Sequence, residues 1–205
     1  MTGSVIRLLL ADDQALVRGA LAALLDLEPD LSVVVEVGTG DAVVAAAQEH
    51  DPDVALIDVE MPGMDGIEAT RALKRARPET RVLIVTTFGR PGFLRRALQA
   101  GADGFVVKDT PARQLADAVR RVHSGLRVVD PVLAADSLVA GDSPLTTRES
   151  EVLRAAREGA AVAAIAGRLF LSEGTVRNHL SSAIGKTGTA NRAEAVRVAD
   201  QNGWL

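Results

Sequence analysis

The sequence predicts an α/β domain followed by a small all-α domain: a doubly wound five-stranded parallel sheet, then a four-helix module. Three observations carry this. Over about residues 4–124, short and nearly unbroken apolar runs alternate with amphipathic stretches, as a parallel sheet covered by helices on both faces requires. Beyond about residue 144 the alternation gives way to helical periodicity alone. Charge divides at the same place: residues 144–205 carry a net charge of +2 and residues 1–143 a net charge of −6, which suggests two modules with different partners.

Taken in order, the strand candidates are "VIRLLLA" (5–11), "SVVVEV" (32–37), "DVALID" (53–58), "RVLIVT" (81–86) and "GFVVK" (104–108). Helical patterns lie between and after them, near 14–27, 41–49, 65–77, 91–100 and 111–124. Pro91 and Pro111 suit first helical positions, and Thr110 suits a cap before Pro111. Residues 125–143 lose the alternation and carry Gly, Pro and Asp punctuation, so they form a predicted linker with a short helix in "PVLAADSLV". The domains are therefore 1–124, a linker at 125–143, and 144–205. In the second domain, Thr146 with Glu149 and Asn191 with Glu194 have capping-box spacing, and Ser172 caps a longer helix.

Composition narrows the function. The chain has no Cys and only five aromatic residues, four Phe and one Trp, which excludes disulfide frameworks and thiolate metal sites. No apolar run approaches the ~18 residues of a membrane span, and "MTGSVIRLLLADD" lacks the basic flank of a signal peptide. A cytoplasmic protein is expected.

The strand ends carry the chemistry. Asp12 and Asp13 close the first strand, Asp58 the third, Thr86 the fourth and Lys108 the fifth. If the strand order is 2-1-3-4-5, the first and third strands are neighbours at the switch point, where open α/β sheets bind ligands. Three carboxylates would converge there, repel one another and call for a cation. An all-oxygen donor set without His or Cys favours Mg²⁺, or Mn²⁺, over zinc. A metal, an ammonium and a hydroxyl around one carboxylate make a cradle for a phosphoryl group, whose transfer needs mostly positioning and charge neutralisation. A single strand-end Asp is more often a helix cap, but five such residues on four strand ends are not.

The stretches "LLLADD", "ALIDVEMPGMDG", "VLIVTTF" and "GADGFVVKD" resemble the receiver domain of two-component response regulators. That resemblance implies the 2-1-3-4-5 order and a phosphoryl group accepted on Asp58 from a sensor histidine kinase. It also implies Mg²⁺ held by Asp12, Asp13, Asp58 and the backbone carbonyl of Glu60. Lys108 and Thr86 would contact the phosphoryl oxygens, and Phe105 stands at the family's aromatic switch position. Two departures matter. Asp109 follows Lys108 where many receivers have Pro, so a trans bond is expected there. Thr87 follows Thr86 where Ala or Gly is usual, and Thr87 with Phe88 is expected to slow loss of the phosphoryl group to water.

The segment "LTTRESEVL", with "IAGRLFLSEGTVRNHLSSAIGKTG" and "NRAEAV", resembles the LuxR-type helix-turn-helix domain of the NarL/FixJ family. The wording "LFLSEGTVRNHLS" further resembles regulators of the DesR type. On the longer helix, Val176, Leu180, Ala183 and Thr187 share one face and should meet the core. Arg177, Asn178, Ser181 and Ser182 lie on other faces. The resemblance places DNA contacts at Arg177, Asn178 and Ser181, with Thr175, His179 and Lys186 nearer the backbone; some relatives have Lys at the position of Ser181. For His179, packing against the core is an equal expectation. Trp204 is expected to plug the C-terminus.

These features point to a transcription regulator switched by phosphorylation, binding double-stranded promoter DNA as a homodimer, with no membrane partner; RNA polymerase is a partner the resemblance allows. Apolar residues in "LVRGALAALL" and "LADAVRRV", on the first and fifth helices, are candidates for the dimer interface. Two rivals remain: a phosphorylation-independent regulator, and an aspartyl-phosphate hydrolase using Glu60, two residues past Asp58, as its second acid.

Overall fold

The computed structural model describes residues 5–87, 91–131, 133–135, 143–157 and 159–205. The chain divides into two compact units, the first comprising Met1–Gly89 and Phe93–Ala134 and the second Ala135–Leu205 together with Arg90–Gly92.

In the first unit the strands are β1 (Ile6–Ala11), β2 (Leu31–Val37), β3 (Val54–Ile57), β4 (Arg81–Thr86), β5 (Gly104–Val107) and β6 (Val128–Val129). All pairings are parallel, in the order β2-β1-β3-β4-β5-β6. The helices are α1 (Ala15–Leu25), α2 (Val43–His50), α3 (Gly66–Ala76), α4 (Pro91–Ala100) and α5 (Ala112–His123). Successive strand residues alternate between two buried layers. Leu9, Ala55, Ile57, Val82, Ile84 and Phe105 pack on one face with α2, α3 and α4. Leu8, Leu10, Val54, Leu56, Leu83 and Val85 pack on the other with α1 and α5. Burial on both faces is why the strands are apolar nearly throughout rather than at every second residue.

The expected five-stranded order is present, and β6 extends it. Val128 and Val129 pair with Gly104 and Phe105 inside the stretch predicted as linker. Two β-branched residues between Arg127 and Asp130 are too short a run to announce a strand; the open edge of β5 decides it. The expected short helix beyond is seen in part, with helical backbone at 131 and 133–135, and residues 136–142 lie outside the described residues. Helix α4 begins at Pro91 as expected. At α5 the start is one residue later than predicted: Pro111 is itself the cap position, extended at ψ 141, and no side chain caps the helix.

The second unit holds α6 (Thr147–Ala155), α7 (Val162–Leu169), α8 (Glu173–Thr187) and α9 (Arg192–Gln201). Both arms of the Thr146–Glu149 capping box are formed. Ser172 accepts from Thr175 N–H. Asn191 accepts from Glu194 N–H, but the Glu194 carboxylate returns to Ala190 N–H rather than to the cap residue. Val152, Leu153, Ile165, Val176, Leu180, Ala183, Ala195 and Ala199 form the core, with Trp204 packed against it. Val176, Leu180 and Ala183 thus face inward as predicted, while Thr187 is half-buried and bonds back to Ala183 O.

The turn joining α7 to α8 carries a backbone penalty. Phe170 sits at φ 55 and ψ 44 and is 96% exposed. This left-handed conformation costs a residue with a Cβ roughly 1–2 kcal/mol, and little burial of the ring offsets it. Phe170→Gly is expected to stabilise the second unit by about 0.5 kcal/mol, the relief being reduced by glycine's larger unfolded-state entropy. Trp204 fluorescence during urea unfolding measures this, and a lower midpoint would count against the strain.

Among the described residues, no helix is long and apolar enough to cross a membrane.

Candidate functional site

The carboxyl end of the sheet assembles the predicted residues. Hydrogen bonds that continue the ladder beyond the strand ends place three of them: Asp12 N–H donates to Val37 O at 3.1 Å, Asp58 N–H to Ala11 O at 2.8 Å, and Lys108 N–H to Thr86 O at 2.7 Å. Asp12 and Asp58 are buried and Asp13 is exposed. One carboxylate oxygen from each of the three lies within 4.8 Å of the others. Lys108 Nζ bridges the buried pair, 2.7 Å from Asp12 Oδ2 and 2.8 Å from Asp58 Oδ2.

The loop after β3 makes the room. Asp65 caps α3 by accepting from Glu68 N–H at 2.8 Å and is not among the clustered carboxylates. A Cβ on Gly66 would lie 1.8 Å from Asp58 O, so only glycine lets α3 start this close to the acidic strand end.

Burial governs the electrostatics. It pushes the Asp58 carboxyl above its ordinary value, and the Asp12 charge adds to the rise against the pull of Lys108. Burial also opposes the Lys108 charge, but its bonds to Asp12 and Asp58 outweigh that and raise its pKa. One ammonium thus sits between two acids that cannot both be fully compensated. The Thr86 hydroxyl is buried with no hydrogen-bond partner. An orphaned hydroxyl at a strand end beside crowded carboxylates fits a pocket completed by a further group. The donor set, all hard oxygen with no His or Cys, fits Mg²⁺ or Mn²⁺.

Phe105 is fully buried within the sheet's α2–α4 layer. Glu60 N–H approaches Asp58 Oδ1 at 3.4 Å. Among the described residues no peptide bond is cis, so Lys108–Asp109 is trans as expected. Thr87 is exposed, and Phe88 lies outside the described residues.

In the second unit, α8 exposes Arg177, Asn178 and Ser181 together. Arg177 pairs with Glu173 one turn earlier at 2.6 Å, holding the guanidinium along the helix. Thr175 and His179 are half-buried, and Thr175 Oγ1 lies 2.8 Å from the cap hydroxyl of Ser172. Lys186 is engaged by the protein: its Nζ lies 2.8 Å from Glu149 Oε2, while Ser182 Oγ donates to Glu149 Oε1 at 2.7 Å. Sequence reasoning placed Ser182 opposite the core and saw Glu149 only as half of a capping box. The box carboxylate has acceptor capacity left over, and only packing α6 against α8 shows who uses it.

The comparisons follow this division. Residues 8–120 match the response regulator receiver domain, and residues 143–199 match the bacterial regulatory proteins of the luxR family. The chain belongs to the two-component response regulators with a LuxR-type DNA-binding domain. Among similar relatives of this regulator, the transcriptional regulatory protein YvfU of Bacillus subtilis is 41% identical over 98% of the chain and 100% of its own length. Transcriptional regulatory protein DesR of the same organism is 40% identical over the same shares. The crystal structure of the response regulator ChrA of a heme-sensing two-component system has a TM-score of 0.60 at 35% identity, covering 99% of the regulator and 100% of that chain. An RcsB–DNA complex has a TM-score of 0.68 at 27% identity over 97% and 99%. The regulator is thus a two-component transcriptional regulator of a DNA-binding family.

Proposed function

We propose that this regulator is switched by phosphorylation of Asp58 and then binds promoter DNA as a homodimer. The observation that carries the switch is the pair Asp12 and Asp58, both buried and bridged by Lys108 at 2.7 and 2.8 Å, with an unpartnered Thr86 hydroxyl at the end of the neighbouring strand. The donor is a phosphohistidine of a sensor kinase: an Asp58 oxygen bonds to phosphorus as the N–P bond breaks. Lys108 moves from its two carboxylates to the new phosphoryl oxygens, and the Thr86 hydroxyl gains the partner it lacks. Asp12, Asp13, Asp58 and the Glu60 carbonyl would hold Mg²⁺, which would supply positive charge to neutralise what gathers on the transferred group. Phe105 is the buried aromatic through which the change leaves the pocket. Turnover ends with the protein's own acyl phosphate, so the domain acts as a switch rather than a hydrolase of small phosphoesters.

On α8, Arg177 and Asn178 have the donors to read guanine and adenine edges in the major groove, and Ser181 adds a hydroxyl. Thr175, His179 and Lys186 lie nearer the phosphates. A net charge of +2 on residues 144–205 gives one copy weak attraction for DNA, so two copies on a two-fold site supply the affinity.

The receiver surface supports α1 over α5 as the source of apolar dimer contacts. Leu115, Ala116, Ala118, Val119 and Val122 of α5 are all buried in the core. Helix α1 instead leaves Leu16 87% and Leu24 45% exposed, with Leu27 just beyond it 78% exposed, and its one charged residue, Arg18, is turned inward onto Asp12 O. Exposed leucines along and just beyond one helix, with no exposed charge on that helix, suit an interaction face.

Beryllofluoride with Mg²⁺ is expected to double the mass of the full chain by light scattering. It should also tighten binding to DNA fragments selected from genomic DNA by roughly tenfold or more, with Asp58→Ala unresponsive in both assays. Equal DNA binding by the treated parent and Asp58→Ala would establish a phosphorylation-independent regulator instead.

A further inference from the structure

We propose that Arg18 is a positioning residue for the cation site, acting through the backbone of Asp12; this rests on reading the acidic pocket as a Mg²⁺ site. Arg18 is the sole charged residue of α1, whose other ten residues are Ala, Leu, Val and Gly. Its side chain is only 20% exposed. From the first turn of α1 it reaches back six residues, and Nη1 donates to Asp12 O at 2.5 Å. The guanidinium lies over Gly38, where a Cβ would stand 3.4 Å from Nη1. Its Nε faces Glu36 Oε2 of β2 at 3.3 Å, an ion pair that makes no hydrogen bond.

Arg18 completes the restraint of Asp12. The Asp12 N–H is fixed by Val37 O, Oδ1 by Gln14 N–H at 2.9 Å, and Oδ2 by Lys108 at 2.7 Å. The carbonyl, held by Arg18, is the remaining handle on the loop that presents both Asp12 and Asp13. Partners of a ligand's outer atoms orient it, and their loss typically weakens metal binding by ten- to a hundredfold, roughly.

A cation so close to a cation site has an opposing effect, which makes the role testable by sign. As a bare positive charge, Arg18 repels a divalent ion, so its removal should tighten binding. As a positioning residue, its removal should loosen the loop and weaken binding. Glu36 fits the second role: it neutralises the guanidinium, leaving the geometric restraint without a net repulsive charge.

The test is Mn²⁺ titration of the full chain, followed by electron paramagnetic resonance of the free ion. Arg18→Ala is expected to raise the dissociation constant roughly tenfold. Arg18→Lys, with a point charge that cannot span both partners, should fall between it and the parent. Glu36→Gln keeps the bond to Asp12 O but exposes the charge. It should weaken binding a few-fold, by an amount that shrinks with added salt, and should have no effect in the Arg18→Ala background. Circular dichroism at the titration temperature confirms that each variant is folded, and Arg18→Lys with Glu36→Gln carries the test should Arg18→Ala not fold. Unchanged or tighter Mn²⁺ binding by Arg18→Ala, or by Arg18→Lys in its place, would overturn the positioning role while leaving the cation site standing. A parent chain that binds no Mn²⁺ would overturn both.

Discussion

Asp58→Asn is expected to unfold at a higher temperature than the parent in metal-free buffer at neutral pH, while losing all acyl-phosphate labelling. Burial lifts the Asp58 carboxyl above its ordinary value, so its ionised form is penalised in the native state and not in the unfolded one. For a raised acid the sign is fixed: stability falls as pH rises from the unfolded pKa near 3.8 through the folded one. Asparagine keeps the shape without the charge, and the gain should be on the order of 1 kcal/mol, as when an active-site group is relieved of its burden. It should shrink as the pH is lowered through and below 3.8, where both states become protonated. Mg²⁺ should stabilise the parent more than the variant, because the variant lacks one ligand. A scan of melting temperature against pH with and without Mg²⁺ measures all three effects. A variant less stable than the parent at neutral pH would show that Lys108 fully compensates the pocket.

Glu149→Gln is expected to act in the opposite sense on the second domain. Burial alone would raise the Glu149 carboxyl. The bonds from Lys186, Ser182 and Thr146 outweigh it and hold the group at about 2, against an ordinary value of 4.5. A depressed acid stabilises the fold above its unfolded pKa, and that stability is lost as pH falls from about 4.5 to about 2. Removing one partner of a buried ion pair costs roughly 3 kcal/mol or more, tempered here because Lys186 is 36% exposed. About 2 kcal/mol is therefore expected at neutral pH, fading as parent and variant converge near pH 2. DNA affinity should fall with it, since Glu149 ties the C-terminal half of α8 to α6 through Ser182 and Lys186. Trp204 is the chain's only Trp and packs on this core, so its fluorescence follows the second domain selectively. A variant as stable as the parent at pH 7 would reduce the pair to a surface contact.

Much of this was legible in the sequence because it is local. Strand-end acids follow from where apolar runs stop, caps from Ser, Thr, Asp and Asn at helix starts, and the inward face of α8 from 3.6-residue periodicity. The failures also have physical reasons. Strand β6 exists because β5 has an open edge, which two valines cannot declare. The apolar residues of α5 looked available for a partner, but the sheet buries them, and the exposed leucines belong to α1 instead. Asn191 and Glu194 have capping-box spacing, yet the carboxylate finds Ala190 N–H.

By itself the sequence determined the two-domain order, the parallel sheet and the membership of the acidic pocket, because periodicity and strand-end chemistry are properties of contiguous residues. Only the tertiary structure decided which charges meet. Lys108 between Asp12 and Asp58, Arg18 on the Asp12 carbonyl, and Glu149 beneath Ser182 and Lys186 each join residues far apart in the chain or on different elements. Coulomb and hydrogen-bond energies fall off over a few ångströms, and such separations are fixed by how the helices and strands pack.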